Sequence, residues 1–419
     1  MKKKIKIILL LAVTLCLVNK SDVRARKLSL DSATIYGESL ASDCSWAGIK
    51  GSYLSDAKAA LDKINKIRYE ACKEGVPNPE NPSIRLKMSD YVPVKWSQEM
   101  ESIARLRAAE ASIRFSHTRP NDKDCFSAVS PKGKSSNAET LARGGKGSMC
   151  QGIDMWYSEK QSWIKNKEFS SAGHYAIMIY PSMRYVGLSN FVSSPQGYSM
   201  SVICGEYSMD SYKQDTSMMK TVKSCVKFVQ IKKKYITVTG ISNIKTSGLK
   251  VGDKLNAYTS AKASGSDFQS TVLLKNNKSW KSSNTKVLTI DKNGRITVKG
   301  YGTTKLTVKA FDNKTYFRKL TIKVPKARLT GVKATGRALS ISWKKGLSNV
   351  NGYIICISTD KSFKSGVKTY TVSGKDKTAF KIGNLKSNKK YYVKIRMRAG
   401  TGKSLIYGSW SSILSATTK

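Results

Sequence analysis

The apolar residues of this chain leave a helical period before Tyr185 and read as all β after about Val226, and that change limits the folds open to it. Before it, Leu61, Ile64, Ile67 and Ala71 recur at three- and four-residue steps, as do Met100, Ile103, Leu106, Ala109 and Ile113. Such spacing lines one face of an α-helix. The first helix is predicted from Ser55 and Asp56 to Gly75 and Pro77, the second from Ser97 to about Ile113, and a third from Met149 to about Lys165. The residues at 185–192 and 198–207 then read as strands around the turn Ser193-Ser194-Pro195-Gln196-Gly197. Past Val226, short alternating runs at 234–239, 304–310 and 320–324 are punctuated by Gly, Asn and Asp, the texture of β-sandwiches. A chain of 419 residues exceeds one core. The expected fold is multidomain: one α+β domain, then two all-β sandwiches joined near Pro325. The boundaries read as 1–25 signal, 26–54 polar leader, 55–225, 226–325 and 326–419.

The N-terminus and the cysteines predict a compartment. Lys2, Lys3, Lys4 and Lys6 precede an apolar run from Ile7 to Val18. That run is short for a membrane span and fits an export signal. Val23-Arg24-Ala25 offers a small-residue cleavage site, with an uncleaved anchor as the alternative. Cys44, Cys72, Cys125, Cys150, Cys204 and Cys225 form an even set before residue 226, which in an exported segment reads as candidate disulfides of open connectivity. A Cys125–Cys150 staple is the preferred pairing; buried thiols are the alternative. Cys356, in Tyr353-Ile354-Ile355-Cys356-Ile357, reads as a buried thiol.

Charge is unevenly placed. The chain has 74 Lys and Arg against 28 Asp and Glu, a net +46. From Val226 onward the count is 41 against 6, with no Glu. Such a field predicts an anionic partner. An exported chain meets little nucleic acid, so the expected partner is the anionic polymer of a Gram-positive wall or an anionic membrane surface. The expected location is outside the cell, secreted or wall-associated.

The two histidines, His117 and His174, are the whole supply. His117 lies just past a predicted helix and His174 just before an apolar, strand-like run. A neutral imidazole holds Zn²⁺ or another divalent cation through a ring nitrogen, and a nearby carboxylate can orient or deprotonate a metal-bound water. Ser116 and Ser158 are weak nucleophile candidates, since a catalytic triad is defined by geometry.

Four elements carry a family resemblance. Phe115-Ser116-His117-Thr118-Arg119-Pro120 resembles the His-x-Arg-Pro element of bacterial CAP domains, the superfamily of cysteine-rich secretory, antigen 5 and pathogenesis-related proteins. Ala138-Glu139-Thr140-Leu141 resembles the family's Gly/Ala-Glu-Asn-Leu element, and Trp156-Tyr157-Ser158-Glu159 its Trp-Tyr-x-Glu element. Gly173-His174-Tyr175, followed by Tyr185-Val186-Gly187, resembles its Gly-His-Tyr element and the strand after it. The resemblance spans about residues 58–208 and implies an α-β-α sandwich. It also implies a central cavity lined by His117, Glu139, Glu159 and His174, with the histidines as metal ligands and either glutamate as a catalytic base. Thr140 stands where the family has Asn, a departure expected to alter a hydrogen bond at the cavity rim. Three readings stay open: a cavity that binds a metal, small apolar or peptide ligand; a zinc-dependent hydrolase of peptide or wall material; and an adhesin whose tetrad only stabilises the fold.

Trp280-Lys281-Ser282-Ser283-Asn284, with Val287, Ile290, Gly294 and Ile296, resembles the bacterial Ig-like group 2 repeat, with Trp280 in its core and a hairpin turn at Asn293-Gly294. Trp343, Gly352-Tyr353-Ile354, Leu385 and Tyr391 resemble a fibronectin type III module, Tyr391 being placed like a tyrosine corner. Lys394, Arg396 and Arg398 alternate with Val393, Ile395 and Met397, which predicts a strand with one apolar and one cationic face.

Overall fold

A computed structural model describes residues 38–145, 147–194, 199–210, 217–266, 268–275 and 279–419. The export signal, its cleavage site and part of the turn expected at 193–197 lie outside the described residues. The chain divides into two compact units, Met1–Thr239 with Ser260–Asn276, and Gly240–Thr259 with Asn277–Lys419.

In the first unit, β1 (Cys44–Leu54), β2 (Ala138–Gly144), β3 (Tyr185–Ser193), β4 (Met200–Ser208), β5 (Val222–Lys232), β6 (Ile236–Ile241), β7 (Thr259–Gly265) and β8 (Phe268–Leu274) share one sheet. Its order is β2-β4-β3-β1-β8-β7-β6, with β5 also paired to β1 and the short strand Lys95–Trp96 paired to β3. β1 comes from the segment read as a leader. Its Cys44, Trp46, Ala47 and Ile49 are buried, and its partners reach from β3 to β5 and β8. The unit therefore runs past the boundary expected at 225. The Gly and Ser residues that suggested a linker sit where neighbouring rings press on the strand: Phe191 lies over Gly51.

Helices cover the sheet. α1 (Ala57–Glu74), α3 (Met149–Tyr157) and α5 (Phe169–Ile179) share a core with Val186, Leu188, Ile203 and Tyr207. α2 (Gln98–Ala111), capped by the Ser97 hydroxyl on the Met100 amide, packs on β3 and β4. Strand side chains alternate between faces, so Glu139, Glu206 opposite it and Cys204 two residues before Glu206 point to the α2 side, the side on which Gly187, also opposite Glu206, meets α2. Gly187 is required there, because a Cβ would fall inside the backbone of Met100 and Glu101.

Two helical expectations are corrected. The third predicted helix is two, with α3 ending at Ser158 and α4 (Lys160–Asn166) beginning after Glu159. The apolar run after His174 is not a strand but the body of α5, where Tyr175, Ala176, Ile177, Met178 and Ile179 are all buried. A short apolar run buried all round has no period to distinguish helix from strand.

The second unit is all β. Lys254–Asn256, Leu288–Ile290 and Arg295–Val298 form one sheet, and Ser279–Ser282, Gly302–Lys309 and Thr315–Ile322 another, around Trp280, Leu288, Ile296, Leu306 and Leu320. Gly294 turns the hairpin with φ of 81°, as the sequence predicts. The last module pairs Leu329–Thr335, Ala338–Trp343 and Ala379–Ile382 in one sheet. The other contains β9 (Gly352–Ser358), β10 (Lys368–Ser373), β11 (Lys390–Ala399), β12 (Ile406–Tyr407) and β13 (Leu414–Thr417). The Tyr391 hydroxyl accepts from the Lys386 amide at 3.2 Å, completing the corner read from sequence.

Candidate functional site

The four sequence-predicted residues form two His–Glu pairs. His117 lies in the loop after α2, and its Nδ1 is 2.7 Å from Glu139 Oε1 on β2. His174, on α5, has its Nδ1 2.6 Å from Glu159 Oε1. Glu159 Oε2 also accepts the backbone amides of His174 and Tyr175 at 2.9 and 3.1 Å. Those amides are exposed because Ala172 breaks the helical geometry of α5, and the carboxylate caps the turn that resumes there. The Trp156 ring stacks on His174 at 6.3 Å between centroids.

In both pairs the carboxylate takes Nδ1, which leaves Nε2 as the remaining ring nitrogen, without a hydrogen-bond partner among the described residues. This is the orientation in which a carboxylate fixes a histidine tautomer and raises the basicity of the other nitrogen. Among the described residues, no group of three or more ligand atoms within 4.8 Å of one another includes His174 or Glu159. Around His117, ligand atoms of His117, Cys125 and Glu139 lie within 4.8 Å of one another, so the first pair has a third donor that the second pair lacks.

Glu139 is also the end of a buried ionic chain that sequence reading missed. Arg107, on the inner face of α2, donates from Nε to Glu139 Oε2 at 2.6 Å and from an Nη to Glu110 Oε2 at 2.7 Å. Glu110 accepts from Arg119 at 2.8 Å, and Arg119 pairs with Glu38 at 2.7 Å. Arg107 and Glu110 are fully buried, and Arg119 and Glu139 are 1% exposed. Burial alone would raise the Glu139 carboxyl; the Arg107 guanidinium and the His117 contact outweigh it and hold the group well below the usual carboxylate range. With both oxygens bonded and no access to solvent, Glu139 is an orienting carboxylate rather than one that meets a water.

Cross-strand register then poses an electrostatic problem. Glu206 on β4 stands directly opposite Glu139 on β2, and like charges so placed repel. Burial, and then the Glu139 charge, push the Glu206 carboxyl well above its ordinary value. One of its oxygens has no hydrogen-bond partner. The native Glu206 carboxyl therefore holds its proton to higher pH than it does in the unfolded chain. Above the ordinary value of 4.5 the unfolded chain binds fewer protons, so this residue's contribution lowers stability as pH rises. Glu206→Gln is expected to be more stable than wild type, with an advantage that grows from about pH 5 to 8 by up to about 1.4 kcal/mol per unit. Urea unfolding across that range measures it; a constant offset would mean that Glu206 titrates normally.

The cysteines differ from expectation. Among the described residues, Cys44, Cys72, Cys125, Cys150, Cys204, Cys225 and Cys356 are all thiols. The favoured Cys125–Cys150 staple is not formed. Cys125 Sγ lies within 4.8 Å of ligand atoms of His117 and Glu139, while Cys150 begins α3, its amide held by Asp56 at 3.1 Å. Burial, then the Glu139 charge, push the Cys125 thiol well up, so it is no nucleophile. Cys204 Sγ points at Glu206 Oε1, 3.5 Å away. The Ser116 hydroxyl accepts the Thr118 amide and the Ser158 hydroxyl donates to the Met155 carbonyl, so both serve local turns. Thr140 is fully buried with its hydroxyl 3.5 Å from the Gly205 carbonyl, inside the sheet rather than at a rim.

Residues 61–207 match the cysteine-rich secretory protein (CAP) family, and residues 257–312 match the intimin immunoglobulin-like domain. The first unit thus contains a CAP domain, and the all-β part that follows contains an Ig-like match. No curated protein matches the chain. Similar solved structures include a myokine structure (16% identity, 22% of this chain and 97% of that chain) and the fn3 domain of human contactin 1 (22% identity, 22% and 76%), each with a TM-score of 0.19.

Proposed function

We propose that this is an exported surface protein whose CAP unit binds a divalent metal ion or small ligand through the Nε2 atoms of His117 and His174, while its basic β modules attach to an anionic polymer of the cell wall. The observation that carries the cavity reading is that both carboxylates are spent on Nδ1, leaving two oriented imidazole nitrogens. A bound metal would supply Lewis acidity and open positions for water or ligand. The protein's part is to fix the tautomers and to shield Glu139 with Arg107.

Calorimetric titration of Zn²⁺ into the full chain, beside His117→Ala and His174→Ala, tests this. One equivalent that disappears in either single variant supports one ion shared by both rings. Binding lost in only one variant assigns the ion to that histidine. No saturable binding by wild type removes the metal and leaves a site for an organic ligand.

A further inference from the structure

We propose that the outer face of the C-terminal sheet is a built docking site for a linear phosphodiester polymer of glycerol-phosphate type. The site rests on the attachment reading above and gives it an address. β11 divides its side chains strictly. Tyr391, Val393, Ile395, Met397 and Ala399 are buried, and Tyr392, Lys394, Arg396 and Arg398 face outward.

The outward cations are held by rings. Lys394 Nζ lies 3.9 Å from the Phe363 centroid and 5.0 Å from that of Trp410. Arg396 Cζ lies 4.0 Å from the Tyr407 centroid and 4.4 Å from that of Trp410. Trp410 is thus shared, and the order is a ladder: Phe363, Lys394, Trp410, Arg396, Tyr407. Cation–π contact of this kind fixes long side chains that would otherwise lose rotamer freedom on binding.

These cations lack carboxylates. No ion pair involves Lys394, Arg396 or Arg398 among the described residues, and Arg398 donates only to the Ser373 hydroxyl, at 3.3 Å. The Nε atoms of Arg396 and Arg398 are buried without an acceptor. Across the sheet, Ile354 and Cys356 of β9 stand opposite Arg396 and Lys394, with Thr371 and Thr369 of β10 beyond them. The Arg396 guanidinium, held between two rings and offered no carboxylate, matches a phosphate, which it can meet with its two Nη atoms.

Spacing fits a phosphodiester chain with three carbons between phosphates. Outward residues on a strand repeat every ~7 Å. A phosphate joined by a three-carbon unit repeats every six backbone bonds, about 7 Å when extended at roughly 1.2 Å per bond. Each successive phosphate can therefore meet the next cation. Single-stranded nucleic acid needs open ring faces for base stacking, whereas here the rings are engaged by the cations.

The test uses the full chain and purified 1,3-poly(glycerol phosphate), measured by calorimetry at low salt. Arg396→Gln with Arg398→Gln is expected to weaken binding at least tenfold. Lys333→Gln with Lys381→Gln, a charge-matched change on the module's other sheet, should change it less than threefold. Arg396→Lys with Arg398→Lys keeps charge but loses the forks and should fall between; it also serves if the Gln pair melts early. Equal weakening by the Gln pair and the Lys333/Lys381 pair would overturn the site and leave attachment by diffuse charge. No binding by wild type would sink the attachment reading itself. An oligothymidylate bound more tightly than the polyol phosphate, with the same loss in the Gln pair, would overturn the assigned polymer.

Discussion

Arg107→Ala is expected to destabilise the first unit by about 3–5 kcal/mol, a large fraction of an ordinary domain's total stability of about 5–15 kcal/mol. The reason is bookkeeping of charge in a dry place. Among the described residues, Arg107 is the one side chain that bonds both Glu139 and Glu110. Removing it leaves Glu110 ion-paired with Arg119 alone and Glu139 with His117 alone, where water cannot reach. It also releases the Ser116 carbonyl, which accepts from Arg107 at 2.8 Å one residue before His117. Urea unfolding of the full chain, followed by tryptophan fluorescence, measures the loss. Adding Glu139→Gln to Arg107→Ala should recover part of it, because the pair is coupled. A loss below about 1 kcal/mol would mean that these carboxylates are solvated or protonated, contrary to the network described.

Gly187→Val is the second large effect. At Gly187 the strand and α2 touch backbone to backbone, so the new side chain would overlap Met100 and Glu101 and α2 would have to lift from the sheet. Loss of more than about 4 kcal/mol, or failure to fold, is expected. Gly187→Ala should already be severe, since the clash begins at Cβ. Thermal unfolding with near-ultraviolet circular dichroism reads both the stability and the packing around Trp96, whose indole donates to Glu101 at 2.8 Å. A variant with wild-type melting would show that α2 stands off the sheet.

Much of this was legible in sequence. His117, Glu139, Glu159 and His174 are the residues that pair, and Trp280, Trp343 and Tyr391 take their expected core places. Period gave the helices that have one polar face and failed where burial is complete. α5 and the inner turn of α2 carry side chains that are buried regardless of type. Arg107 and Glu110 look like surface charges because their partners lie on a loop and on β2, far along the chain. Glu206 reads as an outward strand residue until the register sets it against Glu139. The cysteine count suggested bridges, but it carries no information on whether two thiols approach, and Cys125 and Cys204 instead line the acidic cluster.

β1 has a consequence for how the protein is made. The ribosome delivers it early, yet its partners β3, β5 and β8 follow at 185–193, 222–232 and 268–274. At about 5–20 residues per second, the strand waits on the order of tens of seconds with an open edge. The sheet cannot close until Leu274 has emerged, so the CAP unit matures only when part of the following module has been synthesised.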